Sequence, residues 1–340
     1  MELHASRSPG KNLLAASAVW GLGTLILILS MAFSISQGAA RIPVDEVFSS
    51  LFRFDETSRY HLIVRDLRMP RVLASALVGM AFSVSGAIMQ GVTRNPLADT
   101  GLMGLNAGAG FALSLTFALF PKTSYMHVVI SSFLGAAVGA VLVFGIASLR
   151  KGGLSPMRMV LAGAAVAAML SAVSQAVALY FNVAQDIMFW TAGGVSGSTW
   201  DQLSLLAPWV IGAMLAAILL SRPISLLNLG EDVARGLGIN TMLIKGLCSL
   251  VVLVLAGSSV AVVGAVGFVG LIIPHLARFL VGADYRYIIP TSAILGGLLM
   301  VWADLGARML NPPFETPIGV LTALIGVPFF LYLAKKDRRG

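Results

Sequence analysis

The side chains that could do chemistry are few and far apart. The four histidines, His4, His61, His127 and His275, share no metal-ligand spacing, and Cys248 is the sole cysteine. A zinc site needs three or four such ligands at set intervals, and a thiol nucleophile needs a base beside it. No Gly-x-x-x-x-Gly-Lys-Ser/Thr loop is present, so the usual backbone cradle for nucleotide phosphates is missing. Asp304 is the one carboxylate set deep in an apolar run. Ion-coupled carriers place several ionisable groups at membrane depth, which argues against that class. The sequence also lacks a selectivity-filter signature and an arginine-rich voltage sensor, which argues against a channel.

One segment carries unusual punctuation. Gly264-Ala-Val-Gly-Phe-Val-Gly-Leu-Ile-Ile-Pro-His-Leu-Ala-Arg278 repeats glycine at Gly264, Gly267 and Gly270, then adds Pro274, His275 and Arg278. Glycine permits close backbone approach, and proline frees a carbonyl that needs another partner. A span that only had to sit in lipid would need neither, so this segment reads as a tightly packed or moving part. A capping or packing role suits His275 better than a substrate contact.

The elements that hold these residues are membrane spans. Hydrophobic residues make up 57% of the 340 and charged residues 11%, against about 25% charged in soluble domains. Apolar runs long enough to cross a bilayer fall at 13–35, 69–92, 101–120, 126–149, 157–181, 203–221, 241–262, 265–282, 287–307 and 317–334. The seventh and eighth share one stretch, roughly 60 Å long as a single helix and about twice a bilayer core. The glycines at 264–270 are where it splits. The expectation is an all-α polytopic protein, one membrane domain of about ten transmembrane helices over 1–340, with no cleavable leader.

Ten spans put both termini on one side. Of the 23 lysines and arginines, 15 then lie on the side of the termini and 8 opposite. Basic loops favour the cytoplasm, so both termini are expected inside. Six of the opposing eight fall between Arg41 and Arg71. That outer segment contains Pro43-Val-Asp-Glu-Val-Phe-Ser-Ser-Leu-Phe52, an amphipathic helix with Val44, Val47, Phe48, Leu51 and Phe52 on one face. It fits either a helix at the membrane interface or a docking surface for an external partner.

The inner loop 222–241 has more to say. Pro223 is expected to end the sixth span. Glu231 and Asp232 then open a short helix, where negative charge suits the dipole, and Gly236 and Gly238 close it. Val233 and Leu237 form an apolar ridge that needs a cover. This reads as a rigid helix plugging into a cytoplasmic partner. Gly86 and Arg94 share their spacing with Gly270 and Arg278, a match that either a repeat of about 184 residues or coincidence would give.

Arg68-Met-Pro-Arg-Val-Leu-Ala74, Val84-Ser-Gly-Ala-Ile-Met-Gln90, Arg94-Asn-Pro-Leu-Ala98, Gly267-Phe-Val-Gly-Leu-Ile-Ile-Pro-His275, Glu315-Thr-Pro-Ile-Gly-Val320 and Gly326-Val-Pro-Phe-Phe-Leu-Tyr332 occur in that order. Together they resemble the iron-siderophore, haem and cobalamin importer permeases, the membrane subunits of type II ATP-binding-cassette importers. Pro313-Phe-Glu-Thr-Pro317 is most similar to Gram-positive ferric-siderophore permeases. The resemblance covers residues 13–334.

It implies a transport subunit without enzymatic activity, in the cytoplasmic membrane, paired with a second permease of the same or a related sequence. Two cytoplasmic ATPase subunits would hold ATP and Mg, an extracellular binding lipoprotein would deliver the ferric siderophore, and this chain would bind no cofactor, metal or nucleic acid. Haem and cobalamin are the alternative cargoes. The resemblance assigns Leu229, Gly230, Glu231, Asp232, Val233, Ala234, Arg235, Gly236, Leu237 and Gly238 to coupling with the ATPase. It assigns Asn95, Pro96 and Leu97 to one cytoplasmic gate and Ser155, Pro156 and Met157 to the other, where Pro156 and Met157 depart from the family's small hydroxyl residues. An outer gate is expected near residues 186–194. Arg53, Arg59 and above all Arg308 are similar to arginines that meet glutamates on the binding lipoprotein. Gly264, Gly267, Gly270 and Pro274 belong to the scaffold.

Overall fold

The computed structural model describes residues 9–38, 41–148, 156–192, 194–311 and 314–337. Its α-helices in chain order are α1 (Pro9–Ser36), α2 (Val44–Phe52), α3 (Arg59–Leu62), α4 (Met69–Thr93), α5 (Leu105–Leu119), α6 (Tyr125–Ser148), α7 (Pro156–Tyr180), α8 (Ala184–Ala192), α9 (Trp200–Leu229), α10 (Glu231–Gly236), α11 (Thr241–Val263), α12 (Val269–Val281), α13 (Tyr285–Met309) and α14 (Ile318–Asp337). A π-turn (Ile63–Arg68) leads into α4, and a 3-10 turn (Thr100–Met103) precedes α5. No strand occurs among the described residues. Each of the ten apolar runs overlaps one α-helix, but the run at 101–120 also takes in the 3-10 turn and the run at 265–282 begins four residues before α12. Seven helical segments are long and apolar enough to cross a membrane, and Leu105–Leu119, Val269–Val281 and Ile318–Tyr332 are shorter apolar helices. Helix is what such sequences must form, because lipid offers backbone groups no partners.

The chain divides into two compact units. The first takes the described residues up to Ala87, Gly194–Pro208 and those from Gly267 onward. In it, α1 lies along α13, pinned by Trp20 Nε1 donating to Thr291 Oγ1 (3.1 Å) and Trp302 Nε1 donating to Ser30 Oγ (3.1 Å). Glycine sets how closely α4 packs. A Cβ on Gly79 would fall 2.2 Å from the Gly296 carbonyl oxygen, and one on Gly86 would fall 2.0 Å from that of Gly270. Small residues of this kind are what helix contacts in lipid favour. Gly86 and Gly270, 184 residues apart in the sequence, thus face each other.

The second unit takes the described residues within 88–193 and Trp209–Val266. Here α5 and α6 meet through Gly108 against Gly135 and Gly104 against Gly139. Tyr125 donates to the Val262 carbonyl (3.2 Å), a group that the approaching end of α11 leaves without a helical partner.

One expectation fails in an instructive way, and another is refined. Pro223 does not end its helix: α9 continues to Leu229. The lost N–H bond is outweighed because Ile224 and Leu227 go on burying the same face. In α2 the helix forms, but only Val47 of the five expected face residues is buried, while Val44, Phe48, Leu51 and Phe52 are exposed. Val47 joins Leu27, Ile35, Ile42, Val64, Val72, Ala76 and Val301 in one apolar core. The remaining apolar residues of α2 stay available to lipid or a partner.

Candidate functional site

The Arg68-Met-Pro-Arg71 run gains a structural meaning. The π-turn uses wide-spaced bonds, with Met69 N–H donating to the Val64 carbonyl. The next carbonyl, Arg65, would look to Pro70, which has no N–H. Trp200 Nε1 fills that role and donates to the Arg65 carbonyl at 2.8 Å. One turn on, Arg71 Nε donates to Asp304 Oδ1 (2.9 Å), and its Nη1 donates to Glu315 Oε1 (2.6 Å). Asp304 Oδ2 lies 3.1 Å from Arg308 Nη2 but without hydrogen-bond alignment, so that contact is ionic rather than directed. Arg308 directs its hydrogen bonds to the end of α1 and the residue after it, through Nη2 to Ser34 Oγ (2.6 Å) and Nη1 to the Gln37 carbonyl (3.1 Å). Two arginines and two carboxylates therefore lock α1, α4 and α13 to the segment before α14.

Arg308 is thereby removed from the docking set. Its side chain is 9% exposed, and a guanidinium committed to Asp304 and Ser34 cannot greet a partner without breaking a buried pair. Arg53 and Arg59 are exposed. Between them, Asp55 N–H donates to His61 Nδ1 (2.9 Å), which leaves Nε2 as the protonated nitrogen facing Ser49 Oγ (2.9 Å) and Glu46. The Thr57 hydroxyl holds the Asp55 carboxyl below its ordinary range. A cleft of about 940 Å³ opens beside them, lined by the apolar Phe54, Leu62, Met69 and Trp200 together with the charged Glu56, Arg65 and Asp66.

In the second unit, α10 stands on one residue. Glu231 Oε2 accepts from Lys245 Nζ (2.7 Å) on α11, and Oε1 accepts from Arg235 Nη2 (2.7 Å) and Thr241 Oγ1 (3.2 Å). The Lys245 hydrogen bond holds the Glu231 carboxyl below its ordinary range, with partial burial opposing it. Ala234 is fully buried, while Leu229, Val233 and Leu237 are exposed. Gly230 and Gly238, with φ +136° and +81°, make the two corners. Gly236 has open space where a Cβ would go.

The Arg94–Gly101 loop is rigid in its own way. Arg94 adopts φ +52°, and Asn95 Oδ1 accepts from Leu97 N–H (2.9 Å). Asn95 thus builds an Asx turn around Pro96. Of the second set of gate residues, Ser155 lies outside the described residues. Pro156 and Met157 start α7, but their side chains also lie outside that description.

The glycine segment separates into three roles. Gly264 takes φ +76° and ends α11, Gly267 has nothing within 4 Å of its Cβ position, and Gly270 packs on Gly86. Pro274 cannot donate to the Gly270 carbonyl, the group that faces Gly86. Phe268 caps α12 with φ +69°, and a Cβ on Gly326 would fall 2.2 Å from its ring. The break between α11 and α12 coincides with the boundary between the units.

The description of the FecCD transport family matches residues 26–336. The chain belongs to the FecCD transport family. The iron(3+)-hydroxamate import system permease protein FhuB of Bacillus subtilis is 49% identical over 94% of this chain and 83% of its own length. The iron-uptake system permease protein FeuB of the same organism is 43% identical over 91% and 93%. The ferric enterobactin permease FepD of Escherichia coli is 39% identical over 96% and 97%. Among solved structures, an inward-facing metal-chelate type ABC transporter has a TM-score of 0.82 at 28% identity, covering 94% of this chain and 99% of that one. This FecCD chain is an all-helical, multi-pass membrane protein of the ABC importer permease type, and such permeases are transport subunits rather than enzymes.

Within this FecCD permease, the structure gathers Glu231 and Arg235 of the expected coupling residues around Thr241 and Lys245. Sequence reasoning missed Lys245, although the apolar run around a single lysine was its signal. It also missed Arg71 as the shared partner of Asp304 and Glu315. Neither spacing nor period could pair residues 233 and 244 positions apart.

Proposed function

We propose that this chain is a membrane subunit of an ATP-driven importer that carries a ferric siderophore into the cytoplasm. The observation that carries this reading is α10, a short helix tied to α11 on one side and presenting Leu229, Val233 and Leu237 on the other. An exposed apolar ridge beside a membrane domain calls for a partner, and relatives named for iron-siderophore import supply its kind. Ten spans leave both termini inside. A second permease completes the pathway, and two ATPase subunits that bind ATP and Mg sit against α10 and its counterpart. A binding lipoprotein docks outside, near the cleft between Phe54 and Trp200 and the exposed Arg53 and Arg59. Iron travels wrapped by its chelator, and this chain contributes no metal ligand and no cofactor. Asn95, Pro96, Leu97, Ser155, Pro156 and Met157 line the cytoplasmic gates. The name of the relative FhuB favours a hydroxamate chelate over haem or cobalamin.

The test is uptake of radiolabelled ferrichrome, a ferric trihydroxamate, into cells carrying the intact transporter or Gly236→Val. Open space around Gly236 means the variant folds, yet its branched side chain protrudes at the ATPase contact. Uptake is expected to fall with permease abundance unchanged. Unimpaired uptake would reject α10 as the contact, and ferrichrome exclusion by intact cells would reject the hydroxamate.

A further inference from the structure

The tether beneath α10 does more than hold a short helix in place. A six-residue helix joined to α11 through Gly238 at φ +81° would pivot at that glycine if nothing else connected the two. Glu231 prevents this by spending both carboxylate oxygens. One bonds Lys245 on the second turn of α11; the other bonds Thr241 at its start and Arg235 on α10 itself. The Lys245 side chain is 14% exposed and reaches inward, in contrast to that of Arg235 at 61%. Charge-assisted bonds of this kind are short and directional, so they fix position as well as distance.

Behind the pair lies a cavity of about 30 Å³. Its walls include Thr93 and Arg94, where α4 runs into the gate loop, Met159 on the first turns of α7, and Cys248 on α11. The coupling helix, the stem of one gate and the helix that follows the other thus border one small void, with Glu231 and Lys245 on its rim. Close-packed interiors transmit displacement, and a void beside a polar contact gives that contact room to shift.

We propose that the Glu231–Lys245 pair is the strut that makes α10 and α11 move as one and delivers displacement of the coupling helix to the gate stem at Thr93–Arg94. This rests on the reading of α10 as the ATPase contact. Both residues are positioning residues: neither touches cargo or nucleotide.

The sole cysteine reports on the strut directly. Cys248 is 1% exposed and lines the cavity. Permease–ATPase complexes, isolated by copurification, are labelled with N-ethylmaleimide in the nucleotide-free and the vanadate-trapped states. In the native complex the labelling rate is expected to differ between the two by at least about fivefold, the lower end of ordinary allosteric coupling. Glu231→Gln and Lys245→Met should each abolish that difference, and the exchanged pair Glu231→Lys with Lys245→Glu should restore it. A purely structural role would change the rate equally in both states. The proposal is overturned if the native complex shows no difference, if either single variant retains it, or if the exchanged pair fails to restore it in a complex that still copurifies. Leu237→Asp separates the two levels of the argument. If that variant still brings down the ATPase, the reading of α10 as the contact fails, whatever the labelling shows.

Discussion

At Asp304 a carboxylate without exposed surface sits between Arg71 and Arg308. Burying such charges is costly, and removing one member of the set costs more than the set itself contributes. Asp304→Asn should therefore lower stability by about 3–5 kcal/mol, read as an early thermal transition in detergent. Glu315→Gln, whose side chain is 43% exposed, should cost less than about 1 kcal/mol in the same measurement. Glu231 gives a pH prediction. Its carboxyl is held below its ordinary value, so the tether's contribution is complete above that value and fades only as pH falls through the depressed one. Hydrogen exchange at residues 231–240, corrected for intrinsic rates, should stay slow from neutral pH down to the ordinary glutamate range and accelerate below it. Single residues were the least legible level of this sequence. Asp304 stood out as a buried acid, but Arg71 reached it from a distant helix, and Arg308 looked like a docking residue because exposure cannot be read from residue type.

Elements were far easier to read, for a physical reason. An apolar run of about 20 residues has one stable form in lipid, so its length announces the helix. What stayed hidden was local detail: the π-turn before Pro70, the continuation of α9 past Pro223, and the different tasks of three equally spaced glycines. Those tasks separate by substitution. A Cβ at Gly86 meets the Gly270 carbonyl at 2.0 Å, whereas one at Gly267 meets nothing. Gly86→Ala should destabilise by about 1–3 kcal/mol or more, while Gly267→Ala should leave the melting temperature within a degree or two of the native value, corresponding to under about 0.5 kcal/mol.

For the molecule as a whole, orientation is the accessible question. Alkaline phosphatase fused after Asp55 should be active outside the cell, and the same reporter fused after Gly238 should be silent. The reverse pattern would invert every inner and outer assignment. The distribution of arginines is the ground for that expectation, apart from the cluster at 41–71, where Arg71 proves to be part of an internal lock.

The length of α9 has a mechanical corollary. Its 30 residues make a rod of about 45 Å, some 15 Å longer than a bilayer core. A charge is costly inside the hydrocarbon, so Arg222 is the expected point of exit, and α10 follows the far end of the rod. The stand-off of α10 is then set by the lipid: a thicker bilayer swallows part of the rod or straightens it, and a thinner one tilts it. In vesicles of graded acyl-chain length, transport should pass through an optimum thickness, with the membrane itself acting as the gauge that sets the fit between permease and motor.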